Sequence, residues 1–200
     1  MASLLPEFSL FTVYFSLLVK INLILDRPLG HVGFFVSMRS FPSLYQINYS
    51  RGGVPKLPVV EAWVSVDGLR RDGHRNKVLH GGPDRAICVF SFEVIQALRQ
   101  EGHTMYPGAL GENFTLIGLD WAHIQPGDHM KVGEEVRIEF TSFCEPCRRI
   151  AQWFHKKDYH RIDQQQYPGW SRLYARVLSE GTVRQGDRIF VEKLSEGILQ

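Results

Sequence analysis

Beyond Met38 the chain alternates short runs of β-branched and aromatic residues with dense glycine and proline, and this punctuation most limits the fold. Leu44–Tyr49, Val59–Val66, Ile87–Phe92 and Val136–Phe143 read as strands. Two turns share one design. Gln125-Pro126-Gly127-Asp128 and Arg184-Gln185-Gly186-Asp187 each precede a short strand, His129–Val132 and Arg188–Val191. Pro126 and Gly127 suit the two central positions of a type II turn. One α-helix is predicted over Glu93–Glu101, with Ser91 as cap, Glu93 in the first turn and Gly102 as stop. Val94, Ile95 and Leu98 form its inward face. A shorter helix is predicted near Arg148–His155. Many short strands with few helices predict a mainly β protein, barrel-like or sandwiched.

The 200 residues, 44% of them hydrophobic, can bury a core without disulfide staples. Residues 38–200 form one domain on this reading, and residues 1–37 a separate apolar extension. The extension contains a run from Phe8 to Leu25, broken by Lys20 and Asn22, at the lower limit for spanning a bilayer. Glu7 precedes it and no small-residue cleavage site follows, which argues against a signal peptide. Membrane anchoring through residues 8–25 is the alternative to a cytoplasmic protein. With 23 basic and 21 acidic residues, net +2, no global field recruits nucleic acid. Three cysteines are too few, and odd in number, for a secreted disulfide framework, which points to a reducing compartment. Cys88, inside Ala86-Ile-Cys-Val-Phe90, reads as inert core.

Reactive chemistry concentrates in Phe140-Thr-Ser-Phe-Cys144-Glu-Pro-Cys147-Arg148-Arg149. Thiols act as nucleophiles and soft ligands only as thiolates, which adjacent guanidinium groups favour. Cys147 carries Arg148 and Arg149 directly after it, so it is the expected working sulfur. Lys77-Val-Leu-His80-Gly81-Gly82-Pro83-Asp84-Arg85 is a second candidate. Its paired glycines let N–H groups approach an anion, Arg85 can hold a phosphate, and Asp84 can accept from a heterocycle. The plainer reading is a Gly-Gly-Pro turn with a local Asp–Arg pair. Pro107–Phe114, containing Glu112 and Asn113, either orients a ligand amide or closes its own turn, and the turn is the expectation. Gly68–Arg75 is basic and flexible. A zinc site built on Cys144 and Cys147 lacks an obvious second ligand pair, with His155 and His160 the nearest offering. A redox dithiol lacks the helix-start setting such sites use.

In series these loops resemble the MOSC domain, named for the carboxy-terminal domain of molybdenum-cofactor sulfurase. The resemblance runs from about Tyr45 to Glu192. Gly68-Leu…Asp72-Gly-His74, His80-Gly-Gly-Pro-Asp-Arg85-Ala and Pro107-Gly…Gly111-Glu-Asn113 carry it, followed by Gly118-Leu-Asp-Trp…Pro126-Gly-Asp128 and Pro146-Cys147-Arg148. It is nearest to the small stand-alone, YiiM-like members. It implies a barrel-like fold and a molybdenum cofactor, with Cys147 as catalytic residue and molybdenum ligand. On this analogy His80, Gly81, Gly82, Asp84, Arg85, Asn113 and Arg148 bind the molybdopterin. Pyridoxal phosphate belongs to fused family members and is not expected. The implied activity is an oxidoreductase reducing N-hydroxylated compounds, with a small-molecule substrate and electrons from a separate protein. The alternative is a sulfur or cofactor carrier that hands its load to an accepting protein. Arg71 departs from the pattern, which often has a small residue before Asp72. Cys144 is not required by it, and the chain's end at Gln200 leaves no carboxy-terminal helical segment of the kind in longer members.

Overall fold

The computed structural model describes residues 41–73 and 82–194. Eleven strands are present among them: β1 (Ser43–Tyr49), β2 (Leu57–Val59), β3 (Glu61–Ser65), β4 (Gly68–Leu69), β5 (Ile87–Ser91), β6 (Phe114–Ile117), β7 (His129–Val132), β8 (Val136–Cys144), β9 (Arg172–Ser179), β10 (Gly181–Arg184) and β11 (Ile189–Glu192). One α-helix, α1 (Phe92–Gln100), accompanies them. The protein is therefore mainly β, as its punctuation predicts. The extension and its apolar run lie outside the described residues. Among the described residues no helix is long and apolar enough to cross a membrane.

The expected barrel is not closed. Eight strands form a mixed sheet in the order β11-β7-β8-β9-β5-β6-β1-β2, and β10-β3-β4 form a small second sheet. β11 and the start of β1 meet at a single bridge, Ser43 with Arg188, instead of a ladder. β5 and β6 run parallel, with α1 in the connection between them. The helix is held as its caps dictate. Ser91 Oγ accepts from the Val94 N–H at 3.3 Å, Ile95 and Leu98 are buried, and Gly102 turns the chain away at φ +91°.

The two look-alike turns work identically. The Asp128 carboxylate accepts from the Gln125 N–H at 2.9 Å and the Asp187 carboxylate from the Arg184 N–H at 2.7 Å. Each aspartate thus ties its own turn before β7 or β11 begins. The predicted second helix is instead a run of 3₁₀ segments, Arg148–Trp153, His155–Lys157 and Tyr159–Ile162. Lys156 and Lys157 adopt positive φ, which breaks any continuous helix there. Ile150, Trp153 and Ile162 from this segment are buried in the core. Trp121 packs edge-to-face on Phe90 and Phe140, and its indole N–H donates to Ser171 O at 2.9 Å.

Sequence reading omits β9, the central strand joining β8 to β5. Its alternation sets the site. Leu173, Ala175 and Val177 are buried, while Arg172, Tyr174 and Arg176 take the intervening positions.

Candidate functional site

A cleft of about 740 Å³, counting solvent at its open mouth, lies over the β5–β9–β8 part of the sheet. Its floor is built by register. Cys88 on β5 pairs with Tyr174, and Cys144 on β8 pairs with Arg172, so all four share one face. The β8 partners begin on the other face: Ile138 opposes Val177 and Phe140 opposes Ala175. Between Phe140 and Ser142 the register slips, two residues on β8 advancing against one on β9. That bulge turns Ser142 and Cys144 toward the side of Tyr174 and Arg172. Without it Cys144 would continue the inward series of Val136, Ile138 and Phe140.

The walls come from loops. Gly53, Val54 and Lys56 form one side, Leu110 and Gly111 another, and Glu145, Cys147, Arg149 and Ile150 the rim after β8. Cys147 is half-buried and stands at the start of the 3₁₀ segment, its carbonyl accepting from the Ile150 N–H at 3.1 Å. Arg85 completes the lining, with its guanidinium 5.4 Å from the Tyr174 ring centre. Four cationic side chains, Lys56, Arg85, Arg149 and Arg172, therefore surround one thiol-lined space.

Charge on the floor is organised around Cys144. A hydrogen bond from the Cys88 thiol brings the Cys144 thiol down to about 6. Burial opposes this, while the Arg172 charge, the Tyr174 hydroxyl and Arg85 support it. Cys88 moves the opposite way, well above an ordinary thiol, because it supplies that hydrogen bond and is itself buried. Burial, and then the negative charge beside it, keeps the Tyr174 phenol protonated. Burial works against the Arg172 charge, but Cys144, Cys88, Tyr174 and Glu112 together more than offset it. Arg172 is 5% exposed, and its Nη1 donates to Leu110 O. Its buried Nε has no hydrogen-bond partner among the described residues.

A second polar hub locks the walls together. The Asp72 carboxylate accepts from Lys56 Nζ at 2.5 Å, Ser50 N at 2.9 Å and Asn113 Nδ2 at 2.8 Å. Asn113 is committed on every side. Its Oδ1 accepts from Cys88 N at 3.1 Å, its N–H donates to Cys88 O at 2.7 Å, and its Nδ2 also reaches Asn48 O at 3.3 Å. Glu112, fully buried, accepts from Gly108 N at 2.6 Å and Thr115 Oγ1 at 3.3 Å, closing its own turn as expected. Burial raises its carboxyl above the usual range, and Oε2 has no partner among the described residues.

Several expected ligands have other partners. Asp84 turns to the surface and pairs with Arg176 at 3.0 Å. Arg148 is exposed and does not line the cleft, whereas Arg149 does. Asn113 lines it with its amide already used. Gly82, at φ +99°, opens the turn Pro83–Arg85 but does not line the cleft. His80 and Gly81 lie outside the described residues. Arg71 has φ +74°, which accounts for the small residue expected before Asp72. Among the described residues no group of three or more Cys, His, Asp or Glu could hold a metal, so the zinc reading finds no second ligand pair. Cys88 is buried as expected, and it also lines the cleft. Sequence reading missed that lining role together with Arg172, Tyr174 and Lys56; the signal for two of them was the period-two alternation of β9.

Residues 76–190 match the MOSC domain family model. The chain is 31% identical over 147 residues to the uncharacterized protein YflK of Bacillus subtilis, a match covering 72% of this chain and 64% of YflK. It is 30% identical over 121 residues to YiiM of Escherichia coli, covering 58% of this chain and 52% of YiiM. The chain thus spans less than two thirds of the length of either relative. The crystal structure of YiiM from Geobacillus stearothermophilus superposes with a TM-score of 0.61 at 25% identity, covering 78% of this chain and 77% of that one. The chain belongs to the MOSC domain family.

Proposed function

We propose that the cleft binds a molybdenum cofactor, with Cys147 as the thiolate ligand, and that the protein is a molybdenum-dependent reductase of N-hydroxylated compounds. The observation that carries this reading is the half-buried Cys147 thiol at the rim of a cleft ringed by Lys56, Arg85, Arg149 and Arg172. The donor set fits the group. A thiolate is the natural soft addition to a metal already in a sulfur-rich shell. Arg85 and Arg149 suit the pterin's phosphate, and the unpartnered Arg172 Nε is a buried donor suited to an anionic atom. Asp84 and Asn113 are left out of this set, since Arg176 and Cys88 already engage them.

When bound, the cofactor supplies the two-electron redox centre, and a separate protein supplies its electrons. The chain's own contribution is positional. Cys147 would hold the metal at the rim and the cations would hold anionic groups, while the Lys56–Asp72–Asn113 hub keeps the walls in register.

Expression in a host that makes the cofactor, followed by metal and pterin analysis, tests the first half of the proposal. Cys147→Ser is expected to lose molybdenum while melting normally. Reduction of a hydroxylamine with a competent electron donor tests the second half. Bound cofactor without turnover would favour the carrier reading; absence of cofactor from the folded wild-type protein would overturn both.

A further inference from the structure

The floor of the cleft holds a second sulfur that the molybdenum reading does not use. We propose that Cys144 is a peroxide-oxidisable thiol, a site of reversible sulfenate formation. The site is assembled from three elements. β8 supplies Cys144, re-aimed by the bulge; β5 supplies the Cys88 thiol as donor; β9 supplies Tyr174 and Arg172. Arg85, from the turn before β5, adds a second cation, and Glu112 is the nearby carboxyl that influences Cys88 and Arg172. This inference does not rest on the cofactor reading, but it draws on the same Arg172 and Arg85, so its test uses cofactor-free protein.

The unpartnered Arg172 Nε supplies the argument for an added atom. Arg172 lies opposite Cys144 in the ladder and feels its charge, yet Nε has no hydrogen-bond acceptor among the described residues. An oxygen carried on Cys144 Sγ would extend toward the guanidinium and offer Nε its missing acceptor. Burial selects the reagent. Cys144 is 2% exposed but lines the cleft, so a molecule little larger than water reaches it more readily than a bulky one. Half-buried Cys147 has the opposite selectivity.

The step balances as follows. The Cys144 thiolate attacks one oxygen of hydrogen peroxide, the S–O bond forms and the O–O bond breaks. Hydroxide leaves and takes the proton of the new sulfenic acid, giving a sulfenate and water. Sulfur is oxidised by two electrons and peroxide is reduced by two. Two equivalents of a low-molecular-weight thiol return the thiolate, with water and a disulfide of that thiol as products. A Cys88–Cys144 disulfide found in place of the sulfenate's dimedone adduct would overturn the proposal, since the two thiols are neighbours on the floor.

The test exposes the folded full chain to hydrogen peroxide at pH 7. The chain is then quenched in denaturant containing dimedone, and the adducts are mapped by mass spectrometry. Cys144 is expected to be labelled at least about tenfold faster than Cys88 or Cys147. The rate should follow a titration centred well below that of the urea-unfolded chain. Tyr174→Phe, checked for an unchanged circular dichroism spectrum, should move that titration upward. Preferential labelling of Cys147 or Cys88 would overturn the proposal. So would a Cys144 rate no greater than in the unfolded chain. If Tyr174→Phe unfolds, the wild-type comparison of the three cysteines still decides.

Discussion

Breaking the Lys56–Asp72 pair should cost far more than breaking an ordinary surface ion pair. The two atoms are 2.5 Å apart, and the side chains are 9% and 1% exposed. Water screens little of the interaction at that depth. In Asp72→Asn the shape persists and Ser50 N retains an acceptor, but the Lys56 ammonium is left buried without its counter-charge. Removing one partner of a buried pair costs about 3–5 kcal/mol. For a domain of this size that is roughly 6–20 °C in Tm. Lys56→Met keeps the apolar stem and leaves Asp72 its bonds from Ser50 N and Asn113 Nδ2, so its loss should fall at the lower end.

The double variant is the sharper measurement. If the charges stabilise each other, Lys56→Met/Asp72→Asn should lose less than the sum of the single losses, with a coupling of about 2 kcal/mol. Urea unfolding of the wild type and three variants supplies the cycle. Single losses under about 1 kcal/mol that simply add would show the pair to be solvent-screened, and the reasoning from burial would fail. Since Lys56 and Asn113 line the cleft, the double variant should also bind cofactor poorly even where its stability recovers.

Arg85→Ala should lower cofactor retention by one to two decades, the worth of a charged hydrogen bond of about 1.5–3 kcal/mol, with little change in melting. Gly108→Ala should destabilise by about 2 kcal/mol or more in thermal melts, because φ is +89° and a Cβ there would strike the Lys56 carbonyl. Glu112 has a raised carboxyl, so wild-type stability should decline as pH rises through the ordinary glutamate range toward its folded value; Glu112→Gln should flatten that decline in urea titrations. Asp128 behaves oppositely. Burial works to raise it, but Lys193 and the N–H groups of Gln125 and Leu194 prevail and hold it low. Its contribution is present above the ordinary aspartate range and lost as pH falls through the lowered value, a loss that Asp128→Asn should abolish in acid melts.

Much of the fold is legible because its signals are local. Ser91 and Gly102 bound α1 within a residue of the predicted ends, and Asp128 and Asp187 tie the two matching turns. β9 escapes because charged residues occupy two of its alternate positions, Arg172 and Arg176, and a buried arginine is invisible to a hydropathy pattern. Barrel closure fails to form because β11 and β1 share one bridge, a property of strand ends that no run of residues encodes. Asp84 and Asn113 carry donor and acceptor chemistry, which a sequence displays. Their partners Arg176 and Cys88 lie on neighbouring strands, which it does not.

The cysteines make the same point most sharply. Arg148 and Arg149 follow Cys147 directly, and proximity along the chain makes it the expected thiolate. The charges that matter at Cys144 come from elsewhere: Arg172 lies 28 residues downstream and Arg85 59 residues upstream in the numbering. Both reach it because β8, β9 and the turn before β5 converge on one face. Arg148, by contrast, points to solvent, where its field is screened. The bulge after Phe140 decides the outcome, since a single extra residue moves Cys144 from the apolar series to the charged one. Deleting Thr141 removes the extra residue and leaves a regular ladder in which Ser142 still opposes Tyr174 and Cys144 still opposes Arg172. Peroxide labelling of Cys144 should therefore persist in any deletion variant that still folds. Loss of labelling in a folded deletion variant would show that this register does not aim the sulfur.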